Sequence, residues 1–126
     1  MEGQIRKVMT STLLSESKKR NIELKDLRVK MALSKDESST ECFVMNKTTE
    51  VSELGWQSIL GFALMTFKMI VVNKITDSLK RISGECGIDK KNINARIYSI
   101  DQNGTPNIYI YDGGKPIKQI ELSEII

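Results

Sequence analysis

Two apolar rhythms run through the chain, a helical one and an alternating one. The longest apolar-rich stretch runs from Glu53 to Ile82. Projected at about 100° per residue, Leu60, Leu64, Phe67, Val71, Ile75, Leu79 and Ile82 fall on one stripe, which predicts a long central helix. Its second half carries Thr76, Asp77, Lys80 and Arg81 on the other side, as for a helix with one face in water. Its first half is apolar on the far side too, at Ile59, Phe62, Met65, Met69 and Val72, so it calls for cover from a second direction. Periodicity leaves Met69–Val72 open to a reading as a short buried strand.

Ile5, Val8, Met9, Leu13 and Leu14 predict a shorter helix over residues 2–20. Its basic end, Lys18-Lys19-Arg20, opposes the helix dipole, and its apolar stripe is a candidate cover for the central helix. Leu27, Val29, Met31 and Leu33 alternate with Arg28, Lys30 and Ala32, the period of a half-buried strand. With a second strand at Thr40–Met45 this makes a hairpin. Thr48 or Thr49 is positioned to cap the central helix, with Glu50 and Glu53 in its first turn, and Gly84 to end it.

The last third reads as a meander: Asn92–Ile100, Asn107–Tyr111 and Ile117–Leu122, separated by Gln102-Asn103-Gly104 and Asp112-Gly113-Gly114. Pro116 suits an edge position for the last strand, and its irregular alternation calls for a bulge or a twist. The expected fold is α+β, in the order α-β-β-α-β-β-β. It has a five-stranded, mainly antiparallel sheet, a long central helix and an N-terminal helix.

A chain of 126 residues, 40% hydrophobic, is sized for one domain spanning 1–126. Leu54–Val72 approaches the length of a membrane span. Lys68 within it would cost about 2.5–3.5 kcal/mol, and no basic cluster orients it, so no membrane partner is expected. The N-terminus lacks the apolar run of a secretory signal, and the two cysteines, Cys42 and Cys86, are far apart; both fit a cytoplasmic setting.

The net charge of +3 permits nucleic acid or an acidic partner without requiring either. The charge is uneven, basic from Lys18 to Lys30 and acidic from Asp36 to Glu53. With no histidine in the chain, the commonest general base and a common metal ligand are missing. Cys86, beside Glu85 at a helix C-terminus, sees a potential that disfavours its thiolate. Asp101, Asn103, Thr105 and Asp112 mimic calcium-loop spacing, but Pro106 stands where that loop needs glycine. No catalytic, metal or cofactor site is expected.

If Leu27, Val29, Met31, Ile93, Ile97, Ile108 and Ile110 face the helices, then Arg28, Lys30, Arg96, Tyr98, Tyr109 and Tyr111 share the opposite sheet face. Arginine and tyrosine are favoured anchors of protein interfaces. Interleaved cations and rings could also hold a single-stranded nucleic acid. The expectation is a small non-enzymatic protein-interaction module, an adaptor, inhibitor or regulatory subunit, with a nucleic-acid binder as the alternative. Self-association into a homo-oligomer is expected through Trp56, Ile59, Phe62, Met65 and Met69.

Overall fold

The structure, a computed structural model, describes residues 2–56, 59, 68–99 and 106–126. It is α+β, with α1 (Glu2–Arg20), β1 (Leu27–Leu33), β2 (Thr40–Asn46), β3 (Thr49–Leu54), α2 (Lys68–Cys86), β4 (Ile93–Ser99), β5 (Pro106–Asp112) and β6 (Lys115–Ile120). A short 3-10 turn, Leu122–Glu124, follows. The six strands form one antiparallel sheet in the order β3-β2-β1-β4-β5-β6.

The sixth strand is the main departure from expectation. Thr49 opens β3 rather than capping a helix, and Glu50 and Glu53 lie in that strand. The β-branched Thr49 and Val51 suit an extended backbone, and pairing with β2 satisfies it. Met69–Val72 is helical, within α2. Gly84 does not end that helix; it runs on to Cys86, and Gly87 takes the left-handed conformation, φ +67°, that closes it. The last strand stops at Ile120, and Leu122 is buried in the 3-10 turn. The expected irregularity lies there: the β5–β6 register shifts between Ile110 and Tyr111, and β6 is an edge strand holding Pro116.

Both helices lie on one face of the sheet. Ile5, Met9 and Leu13 of α1 and Val71, Ile75, Leu79 and Ile82 of α2 join Val29, Met31, Ala95, Ile97, Ile108 and Ile110 in one core. The spacing of the α1 residues, one turn apart, is the helix period read off the sequence. Among the described residues α1 packs on β1, β4 and β5, while α2 packs on β2, β1 and β4; most of the stretch that α1 was expected to cover lies outside the described residues. Leu14 is exposed. Leu60, Leu64 and Phe67 of the central stripe, and the Gln102-Asn103-Gly104 turn, lie outside the described residues.

The two halves of the chain are copies of one α-β-β-β unit. Every element of residues 2–54 recurs 66 positions later, at both its ends (68 − 2 and 86 − 20 for the helices, 115 − 49 and 120 − 54 for the last strands). The likeness reaches single bonds. Each helix ends with a left-handed residue, Asn21 or Gly87, and a backbone bond back to a serine carbonyl, Ile22 N–H to Ser17 at 3.1 Å and Ile88 N–H to Ser83 at 2.9 Å. This is the Schellman closure, with a buried isoleucine after it. In each unit that serine hydroxyl also donates to the isoleucine carbonyl. Lys47 and Gly113 match as left-handed turn residues, and the strand registers shift at Val44/Met45 and at Ile110/Tyr111. A pseudo-two-fold axis therefore passes between β1 and β4, where the equivalent residues Lys30 and Arg96 are direct cross-strand partners.

Both cysteines are free thiols. Cys42 faces the core at 1% exposure, and burial pushes its thiol well above the usual range. Ellman's reagent should label half-buried Cys86 in the native protein and reach Cys42 only on unfolding. Equal labelling rates for the two would contradict the placement of β2.

Candidate interaction face

The alternation of β1, β4 and β5 sends apolar side chains to the helices and Arg28, Lys30, Arg96, Tyr98, Tyr109 and Tyr111 to the other side of the sheet. All six residues singled out by the sequence share this outer face. Across its middle the register gives the row Glu53, Phe43, Lys30, Arg96, Tyr109, Gln119. Among the described residues neither helix covers it.

The face is knit together by its own contacts. The Arg96 guanidinium lies 3.9 Å from the centre of the Tyr111 ring, and that of Arg28 lies 4.6 Å from the centre of Tyr98. Tyr98 and Tyr109 stack with centroids 5.1 Å apart. The Tyr98 and Tyr111 hydroxyls share a hydrogen bond of 2.9 Å. Arg96 donates through Nε to Asn94 Oδ1 at 2.9 Å and through its terminal nitrogen to the Gly113 carbonyl at 3.0 Å, which also accepts from Asn94 Nδ2. Lys30 is ion-paired with Glu50 of β3 and lies over the Phe43 ring.

This mutual packing buries more of the face than alternation alone implies. Arg96, Tyr98 and Tyr111 are buried, and Arg28, Lys30 and Tyr109 are half-buried. Burial lowers the pKa of Arg96, and burial with the Tyr111 hydroxyl bond raises that of Tyr98 to about 12.

Sequence reasoning passed over three contributors. Asn94, which holds Arg96, shares its alternation but carries no charge. Phe43 lies on β2, where the weak alternation of Thr40–Met45 does not mark an outer face. Glu50 carries the local marks of a helix start and lies in β3. Of the residues expected to self-associate, Ile59 is fully buried in the core and Trp56 is half-buried against it, its ring N–H donating to the Thr40 carbonyl at 2.8 Å. Met69 is 69% exposed on the first turn of α2, and Phe62 and Met65 lie outside the described residues.

No protein-family model, curated protein or solved structure matches the chain. No helix among the described residues is long and apolar enough to cross a membrane.

Proposed function

We propose that this protein is a non-enzymatic protein-interaction module, an adaptor, inhibitor or regulatory subunit, that presents the outer face of its sheet to a protein partner. The supporting observation is the state of that face: a broad surface left open by both helices, whose arginine and tyrosine side chains are held by one another before any partner arrives. Pre-ordered aromatic and arginine anchors lose little conformational freedom on binding, which favours protein contact. The same order counts against nucleic acid. The rings of Tyr98 and Tyr111 are covered by guanidinium groups and Tyr109 is stacked, so few faces remain for bases, and Lys30 is neutralised by Glu50.

Tyr109→Ala removes a half-buried, stacked ring from this face at a stability cost of about 2 kcal/mol, from lost burial and lost stacking together. Co-purification from native cells should yield a protein retained by the wild type and by Lys74→Glu on α2, and lost with Tyr109→Ala. Retention by all three, or release by nuclease, would overturn the reading.

A further inference from the structure

The geometry points to a carboxylate-binding groove on the outer sheet face, in which Arg96 and Lys91 receive an acidic side chain of the protein partner. The inference rests on the interaction reading above and names the chemistry that the face selects.

The groove is open and of about 500 Å³, with Lys30, Glu50, Lys91, Asn94, Arg96 and Gly114 in its walls. Arg96 is 5% exposed, and buried charges are ordinarily paired. Among the described residues, no carboxylate forms an ion pair with it; its hydrogen bonds go to neutral oxygens, those of Asn94 and Gly113.

The internal repeat shows what is missing. Lys30, the equivalent of Arg96 in the first unit, is ion-paired with Glu50. The residue equivalent to Glu50 is Pro116, so the second unit keeps the cation and lacks its carboxylate. The lysine pair Lys25/Lys91 differs in another way, because the second unit keeps the acid there as Asp89. Lys25 is ion-paired with Glu23 at 3.1 Å, whereas Asp89 Oδ1 accepts instead from the Lys91 backbone N–H at 2.9 Å, and the Lys91 ammonium forms no ion pair among the described residues. Among the described residues, neither the Arg96 guanidinium nor the Lys91 ammonium in this groove forms an ion pair, where both counterparts in the first unit do; Glu50 in the same wall is engaged by Lys30.

A carboxylate suits this site better than a phosphate. A guanidinium edge matches the two oxygens of a carboxylate, and Glu50 in the same wall repels a dianion more than a monoanion.

The test uses the full chain and a fluorescein-labelled oligoglutamate peptide, read by fluorescence anisotropy, with an oligoserine peptide and inorganic phosphate as comparisons. Thermal unfolding of each variant checks folding. The wild type should bind oligoglutamate, more weakly as salt rises. Lys91→Glu, at an exposed turn, should weaken binding about tenfold. Arg96→Gln should weaken it at least as much, and Lys25→Glu, the same charge change at the equivalent place in the other unit, should leave it unchanged. Absence of oligoglutamate binding overturns the inference. So does equal weakening by Lys25→Glu and Lys91→Glu, or binding of phosphate without the peptide. If Tyr109→Ala abolishes partner capture while oligoglutamate fails to bind, this groove falls and the interaction reading stands. If oligoglutamate binds as described while Tyr109→Ala leaves capture intact, the interaction reading falls instead.

Discussion

Leu79→Ala should lower the free energy of unfolding by about 3–4 kcal/mol, the cost of lost burial plus an unfilled cavity at a fully buried site. Leu79 sits in the buried stripe of α2. The repeat extends the expectation, because Leu13 is its equivalent in α1 and is as completely buried. Leu13→Ala should therefore cost a similar amount, whereas Leu14→Ala, one residue on and exposed, should stay within about 0.5 kcal/mol. Denaturant unfolding followed by circular dichroism would measure all three. A single transition is expected in each case, since the helices of both units enter one core and β1 pairs with β4 across the axis. Two separable transitions, or a Leu79→Ala cost near that of Leu14→Ala, would refute the shared core.

The second large effect is alkaline. Tyr98 ionises only near pH 12 in the folded protein, against 10.0 ordinarily, because its hydroxyl is buried and bonded to Tyr111. A folded-state pKa raised above the unfolded one means the native state holds the proton more tightly. The associated stability is complete below pH 10 and is lost as the pH rises from 10 towards 12. The shift corresponds to roughly 2–3 kcal/mol over that interval. Tyr98→Phe should flatten this part of the stability curve relative to the wild type, and absorbance titration near the tyrosinate band should lose its highest-pH component. An unchanged alkaline limb in the variant would show that the hydroxyl pair is not a protonation-sensitive contact.

Much of the fold was legible because burial imposes period. Alternation in Leu27-Arg28-Val29-Lys30-Met31 and in Ile108-Tyr109-Ile110-Tyr111 marked strands, and the opposed set became the outer face. The stripe Val71, Ile75, Leu79, Ile82 marked α2. The errors fell where local signals compete. Thr49, Glu50 and Glu53 carry the marks of a helix start, and they became a strand because the edge of β2 offered backbone partners from outside the segment.

The repeat escaped notice for a different reason. At an offset of 66 the identities are sparse: Thr10/Thr76, Leu13/Leu79, Ser17/Ser83, Ile22/Ile88, Lys25/Lys91 and Ile59/Ile125. Several core equivalences keep only apolar character and approximate volume, as with Met9/Ile75, Leu27/Ile93 and Val44/Ile110, and many surface ones keep neither, as with Leu14/Lys80 and Glu50/Pro116. Cores tolerate such exchanges, so a shared backbone can persist under divergent side chains.

By itself, the sequence determined which side chains turn inward on β1, β4, β5 and α2, because the periods of strand and helix are local properties of the backbone. It also set the stock of arginine, lysine and tyrosine on the opposite face. Only the tertiary structure decided that β1 and β4 pair at the centre and that Arg96 lies over Tyr111 with no ion pair among the described residues. Strand order and register are set by packing between segments far apart in the chain, and no local pattern records them.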